Sequence, residues 1–338
     1  MPDEEQRDGP VKVAEAFKCH NCGYAGLTEA KTIYPMTINF PGGTTHSFSI
    51  KQCSECDLVN TVGVTPQILD IAYSSEYYGS GSKKFLNIIE FILKLISKLK
   101  AKTLAGHVSG ASNQTLKVLD IGCGRGLLLS AYQAMGCEIT GLERTKVPLA
   151  GPISPYVHIG AITDDPVASK QYDLIVIWHV LEHLEKTNYM LRQCKQLLTH
   201  NGIVAIAVPN FASLQRRLFG RHWFHLDVPR HVTHLDTRWL LSALQAEQLS
   251  IIKTSHTDLI QNCYGFVQST LNAIFPNDPN LFYDSLTSGV FNRGRIPTVL
   301  LHGIIACCLA PIALVESLAS SVMNLGATVQ VTARKDRA

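Results

Sequence analysis

The hydrophobic and polar positions change period along the chain. Thr37-Ile38-Asn39-Phe40 and Ser47-Phe48-Ser49-Ile50 alternate on either side of Pro41-Gly42-Gly43, the pattern of two short strands joined by a turn. Between 85 and 99 the period becomes helical. Phe85, Ile88, Ile89, Ile92, Leu95, Ile96 and Leu99 share one face, with Asn87, Glu90, Lys94 and Lys98 opposite. The Gly- and Ser-containing stretch 106–113 reads as a linker. From Leu116 onward short apolar runs alternate with amphipathic segments. Strands are predicted at 117–121, 138–142, 156–159, 173–178, 202–208, 250–255 and 327–333, and helices at 127–135, 187–198 and 237–247. This alternation predicts a doubly wound, mainly parallel sheet of seven strands. Ile296 to Val315 carry no charge and are long enough to span a bilayer, but Pro297, His302, Gly303 and Pro311 interrupt them. A single crossing would strand the last predicted strand on the far side. A buried helical hairpin, a dimer surface or a shallow monotopic insertion is expected instead.

Composition narrows the setting. With 338 residues there is room for one large domain and a smaller module, and 46% apolar residues suit a well-cored chain. A net charge of +3 gives no reason to invoke nucleic acid. The polar start, with Asp3, Glu4, Glu5 and Asp8, has no apolar signal region, and ten cysteines without one argue for a reducing compartment. The expected setting is cytoplasmic, with membrane association open.

Two short patterns carry chemistry. Cys19-His20-Asn21-Cys22 and Cys53-Ser54-Glu55-Cys56 are paired C-x-x-C knuckles, and four thiolates in that arrangement suit a tetrahedral structural zinc. A region this small needs such a staple. Cys19, Cys22, Cys53 and Cys56 are therefore the metal candidates, with His20 a bystander. The second pattern is Val118-Leu119-Asp120-Ile121-Gly122-Cys123-Gly124-Arg125-Gly126, a buried strand running into a glycine turn and a helix start. Such turns let a ligand approach the main chain and present helix N-terminal N–H groups to it. Position 127 is Leu, so the spacing departs from the G-x-G-x-x-G of dinucleotide sites. The next strand ends in Glu143, where a carboxylate can accept both hydroxyl protons of a ribose.

Taken together, Asp120 to Gly126, Glu143, Asp173, Leu181-Glu182-His183, Asn201-Gly202 and Pro209-Asn210 resemble the successive motifs of the ubiquinone-type O-methyltransferase-like branch of class I S-adenosylmethionine (SAM)-dependent methyltransferases. The knuckles, followed by Asp57-Leu58-Val59 and Tyr73…Tyr77-Tyr78, resemble the zinc ribbon fused ahead of that domain in bacterial members. The resemblance implies a Rossmann-like seven-stranded class I methyltransferase sheet with an N-terminal zinc ribbon and a helical insert before the last strand. Its expected divisions are a tail at 1–18, a ribbon at 19–75, a helical lid and linker at 76–115, a SAM-binding core at 116–258, an apolar insert at 259–324 and a last strand at 325–338. It implies SAM held by Asp120, Gly122, Gly124 and His179, with its ribose on Glu143. The family often places an acid after the third strand for the adenine. Here Gly160-Ala161-Ile162-Thr163 stands there, so backbone near Ala161 and Ile162 takes that contact. The implied reaction is O-methylation of a small-molecule, glycan or lipid-linked acceptor by in-line transfer. The alternative is an RNA- or protein-directed methyltransferase, or an idle adaptor, docking through the ribbon. Against nucleic acid, no basic and aromatic cluster lies between the knuckles.

The acceptor side has two candidate segments. His179-Val180-Leu181-Glu182-His183 spells H-x-x-E-H, used by inverted zinc peptidases, but a strand runs straight into it where those enzymes need a long helix. Two readings remain: His179, Glu182 and His183 hold a divalent cation near the acceptor oxygen, or His179 lines the acceptor pocket while Glu182 and His183 cap the next helix. The segment 221–234 is dense in His, Arg and aromatic residues. His231 and His179 are the catalytic candidates, His231 as the general base, and Arg230 is placed to neutralise a phosphate or carboxylate on the acceptor. The alternative for this segment is a histidine-rich loop satisfied by helix ends. A homodimer and contact of 85–102 and 296–315 with a membrane surface are the further partners expected. The alternative is that the 85–99 helix packs its apolar stripe on the neighbouring domain and that 296–315 is simply buried.

Overall fold

The computed structural model describes residues 18–25, 30–40, 44–73, 87–108, 115–149, 152–286 and 295–336. Residues 1–17, Tyr77, Tyr78, Phe85 and most of the 106–113 linker lie outside the described residues. The chain opens with β1 (Thr32–Asn39), β2 (Thr45–Gln52) and β3 (Val59–Val62), followed by α1 (Pro66–Ala72) and α2 (Asn87–Ala105). The main sheet then builds from β4 (Lys117–Ile121), α3 (Leu127–Ala134), β5 (Glu138–Glu143), β6 (Val157–Ile159), β7 (Tyr172–Trp178), α4 (Thr187–Leu197) and β8 (Leu198–Pro209). Helix α5 (Leu214–Phe219), β9 (Thr233–His234), α6 (Thr237–Ala246) and β10 (Leu249–Ser255) follow. Helices α7 (Leu259–Ile274), α8 (Leu281–Leu286) and α9 (Ile296–Val322) precede the last strand, β11 (Thr328–Lys335).

Seven strands form one sheet in the order β10-β11-β8-β7-β4-β5-β6. Strand β11 runs antiparallel between β8 and β10, and the other neighbours are parallel. Both faces are covered, which is why the central strands read as continuous apolar runs. Alternate residues serve alternate faces. Leu119, Ile121, Ile175, Ile177, Val204 and Ile206 pack with Leu191 of α4 and Leu240 and Leu244 of α6. Val118, Leu174, Val176, Ile203 and Ala205 pack with Ala101 and Leu104 of α2 and Leu129 and Tyr132 of α3. The strand order reverses between β4 and β7, so a crevice for a ligand opens at their carboxyl ends.

Three expectations need correction. The helix expected over 85–99 runs to Ala105, and its apolar stripe is not its buried face. Phe91 is 66% exposed and Leu99 59% exposed, with Ile92 and Leu95 also in solvent. The buried face consists of Glu90, Ala101, Leu104 and Ala105, because small side chains near its end let α2 approach α3 and Glu90 pairs with Arg125 at 2.8 Å. The stretch 296–315 is no hairpin but part of one helix that continues through Pro311. His302, Ala306, Ala313, Ser317 and Ser320 form its buried side, leaving Leu300, Ile304, Ile312, Val315 and Val322 exposed. By length and composition it alone among the described residues could cross a membrane. Lastly, the strands beside the knuckles extend further than their alternating cores, and a fourth partner joins them. The second sheet has the order β1-β2-β3-β9, so the N-terminal module is completed by a strand from beyond β8.

Candidate cofactor and acceptor site

At the end of β4 the turn takes left-handed backbone at Gly122, Gly124 and Gly126, with φ of 66°, 53° and 74°. A Cβ on Gly122 would lie 2.3 Å from Cγ2 of Val180, so packing as well as φ excludes a side chain there. Gly124 is different: nothing lies within 4 Å of where its Cβ would sit, leaving backbone open to a ligand. The turn is tied to β5. The N–H of Gly122 donates to the carbonyl of Leu142 (2.8 Å), and the N–H of Gly124 donates to Oε1 of Glu143 (2.6 Å). The second carboxylate oxygen of Glu143 accepts from the N–H of Arg144 (3.1 Å). A cavity of about 210 Å³ adjoins the turn, lined in part by Ser97, Lys100, Asp120, Gly122, Arg125 and Trp178. Ile162 is buried beyond β6, where Asp164 accepts from the N–H of Ala161 (2.7 Å).

The acid at the end of β4 is electrostatically exceptional. Burial, then the neighbouring Glu143 carboxylate, push Asp120 up to about 8, against the pull of Lys100. Burial draws the Lys100 ammonium down to about 8, opposed by Asp258 and Asp120. It lies 3.8 Å over the Trp178 ring. Lys100, Arg125 and Trp178 were not among the site candidates. Their signal is present in hindsight: a cation at 100 on a helix whose other lysines, 94, 98 and 102, are exposed.

Just beyond the end of β7 lies a histidine-lined acid. His179 has φ 55°, and its N–H donates to the carbonyl of Ala207 (2.9 Å), which turns its ring toward Glu182. Nδ1 of His179 lies 3.4 Å from Oε1 of Glu182, while Nε2 of His231 lies 3.9 Å from the same oxygen. The Glu182 side chain is 2% exposed, and neither carboxylate oxygen has a well-aligned hydrogen-bond partner. Burial opposes its charge, but His179, His183 and His231 outweigh that and hold the carboxyl down at about 2. Nδ1–H of His231 donates to the carbonyl of His225 (2.9 Å), so the lone pair of the neutral ring is on Nε2, facing Glu182 and Asp227. Burial, reinforced by His183, takes this imidazole down to about 4.

Several expectations change here. Glu182 and His183 do not cap the following helix: α4 starts after Lys186, without a side-chain cap, and the two residues sit in a separate short turn, Leu181–His183. Arg230 is not held ready for an acceptor anion. Its Nε donates to Oδ2 of Asp227 (2.9 Å), a second nitrogen donates to Oδ1, and Nη1 donates to the carbonyl of Ala72 (3.4 Å). Asp227 lies three residues back and is held below the usual carboxylate range: burial opposes, but Arg230 and His231 prevail. The ligand atoms of Glu182, His183 and His231 lie within 4.8 Å of one another, so any cation here has His231 rather than His179 as its third neighbour. Tyr73, from the N-terminal module, reaches the same cluster, with its hydroxyl 2.9 Å from Nδ1 of His183.

The four knuckle cysteines converge. Cys19 and Cys56 sulfurs are 3.5 Å apart, Cys22 and Cys53 sulfurs 3.6 Å apart, and all four lie within 4.8 Å of one another. Tetrahedral zinc with bonds of about 2.3 Å puts its sulfurs about 3.8 Å apart, so the cluster can hold a metal of that kind. A cavity of about 570 Å³ separates this module from α5 and α6. Two of its lining cations are already engaged, Arg216 with the carbonyl of Phe211 (2.6 Å) and Arg238 with Asp57 (3.6 Å).

Residues 87–254 match the family model of a methyltransferase domain. Together with the strand order, this supports reading residues 87–254 as a class I SAM-dependent methyltransferase domain. It is 29% identical over 124 residues to the ubiquinone biosynthesis O-methyltransferase of Stutzerimonas stutzeri, an alignment that covers 34% of this chain and 52% of the relative. The Proteus mirabilis protein of the same name is 30% identical over 121 residues, covering 33% of this chain and 46% of its own. The chain thus spans about half the length of the curated relatives it matches. Among solved structures, a SAM-dependent methyltransferase from Archaeoglobus fulgidus aligns with a TM-score of 0.42 and 17% identity, covering 72% of this chain and 94% of the other.

The raised carboxyl of Asp120 has a stability consequence. A group with a raised folded-state pKa contributes most below its unfolded value and loses that contribution as pH climbs to its folded value. Urea midpoints measured without cofactor should therefore fall for the wild type, relative to Asp120→Asn, as pH rises from about 4 to about 8. Parallel curves over this range would show that Asp120 ionises normally.

Proposed function

We propose that the chain transfers a methyl group from SAM to a hydroxyl oxygen of a small acceptor. The observation that carries this is an open glycine cradle beside the buried, neutral imidazole of His231: the His183 ring, centred 4.7 Å from that of His231, acts electrostatically on the Glu143 carboxylate that holds the turn. Gly122 and Gly124 would support the cofactor through backbone, Glu143 its ribose, and Ala161 and Ile162 its adenine, with Asp120 and His179 lining the remainder. Bound SAM supplies a methyl carbon on a cationic sulfur. Nε2 of His231 would take the proton from the acceptor hydroxyl as that oxygen accepts the methyl group, with the cofactor's sulfur as the leaving group. Burial keeps His231 uncharged at neutral pH, as a base must be, and the anions of Glu182 and Asp227 favour the imidazolium that results. Alignment and exclusion of water supply much of the rate in such displacements.

The Glu182 carboxylate, buried among imidazoles without a well-aligned hydrogen bond, supports a second reading of the acceptor side, in which a divalent cation held by Glu182, His183 and His231 would polarise the acceptor oxygen. In the N-terminal module the cysteine cluster is read as structural zinc. The exposed apolar residues of α9, and Phe91, Leu95 and Leu99 beside Lys94, Lys98 and Lys102 on α2, support peripheral contact with an anionic bilayer and an acceptor of lipid-like character.

Methyl-labelled SAM incubated with dihydroxybenzenoid probes and cell extracts should yield a labelled ether product, reduced at least tenfold in His231→Asn. Label on nitrogen or carbon would overturn the O-methyl reading, and stimulation by added divalent ions would favour the cation. Metal analysis should give one zinc per chain, lost when Cys53→Ser and Cys56→Ser are combined. Flotation with phosphatidylglycerol vesicles should carry the chain upward, and less so with phosphatidylcholine alone; a protein that stays at the bottom with both does not touch membranes.

A further inference from the structure

The N-terminal sheet does not merely lie beside the methyltransferase domain. Its fourth strand, β9, is drawn from the segment that ends in the acceptor cluster, with Val59 opposite His234 and Asn60 opposite Thr233. Two fully buried residues of β3 connect the cysteine knuckles to that cluster. Asn60 Nδ2 donates to the carbonyl of Leu58 (2.8 Å) and approaches Sγ of Cys19 (3.8 Å), while Oδ1 accepts from the N–H of His20 (3.2 Å). The N–H of Thr61 donates to the carbonyl of Val232 (2.9 Å), and its hydroxyl donates to the carbonyl of His231 (2.7 Å). Having one proton, that hydroxyl accepts from Nε2–H of His234 at 2.9 Å, which also settles the tautomer of that ring. The far side of the strand closes on the acid: the N–H of Val232 donates to the carbonyl of Glu182 (3.0 Å), and the Thr233 hydroxyl donates to it as well (3.4 Å).

We infer that Thr61 is a positioning residue for the acceptor half of the site, and that the metal-bound knuckle acts through Asn60 and Thr61 to hold His231 and Glu182 in place. The four sulfurs fit a tetrahedral metal, so loading it fixes Cys19 and, through Asn60, the start of β3. On the cofactor side the turn is tied to β5 and, through Arg125 and Glu90, to α2, and neither tie passes through β3. Metal loading of the ribbon therefore controls order on the acceptor side and leaves the glycine cradle unchanged. This inference rests on reading His231 and Glu182 as the acceptor side, but its test uses neither an acceptor nor turnover.

Amide hydrogen exchange on the full chain is the readout, in the wild type, in Thr61→Val and in Thr61→Ser. Replacing the hydroxyl by a methyl group leaves the His231 carbonyl and the His234 N–H buried without that partner. Peptides spanning 226–236 should exchange at least tenfold faster in Thr61→Val, those spanning 118–131 should be unchanged, and Thr61→Ser should restore wild-type protection. Wild type stripped of metal by a chelator should show the same local pattern, with SAM affinity by calorimetry kept within a factor of about 2. Unchanged exchange at 226–236, a uniform rise across both regions, or failure of serine to rescue would overturn the inference. Loss of SAM binding in the wild type itself would instead count against the proposed function.

Discussion

The site depends on the parallel register of three strands. Ile121 of β4 pairs with Leu142 of β5 on one side and with Ile177 of β7 on the other, so the three strands end level. That alignment brings the glycine turn, the Glu143 carboxylate and the Trp178-His179 corner to one edge of the sheet. A slip of one residue would exchange the side chains of the two covered faces and carry Asp120 away from the crevice. The apolar side chains of β4 and β7 are almost wholly buried on both faces, which makes any such slip costly.

Upon this frame the chain drives two buried carboxyls, Asp120 in one half and Glu182 in the other, in opposite directions. Asp120 has Glu143 as a neighbour and is pushed up to about 8; Glu182 has imidazoles for neighbours and is held at about 2. Two acids of similar intrinsic strength thus differ because of what surrounds them. The first can surrender a proton when a cationic ligand arrives. The second keeps its charge to steady a base or a metal ion. The N-terminal module then has a definite place in the account, since its sheet includes β9, which starts two residues after His231.

How much of this could be read from the chain varies with the range of the interaction. The seven main strands, the glycine turn and the paired cysteines were legible, because periodicity and short-range spacing report them directly. Strand β9 was not, since two residues carry no periodicity and its partner lies more than 170 positions away. Arg230 looked like an anion binder until Asp227, three residues before it, proved to occupy it, a pairing that the sequence spacing already allowed. The buried face of α2 was misjudged for a different reason: the Glu90–Arg125 ion pair and the closely packed Ala101 outweigh the helix's own apolar stripe. Glu182 was visible as a residue but not as a buried one, because its environment is assembled from the Leu181–His183 turn and the 225–231 loop.

The central claim is that the crevice at β4, β5 and β7 binds SAM through the glycine turn and Glu143. Calorimetric titration tests it most directly, with SAM added to the wild type and to Glu143→Ala and with NADH as a control. The account predicts one SAM site per chain, a loss of at least tenfold in affinity in the variant, equivalent to about 1.4 kcal/mol, and no binding of NADH. Absence of SAM binding, or equal affinity in the wild type and Glu143→Ala, would contradict it.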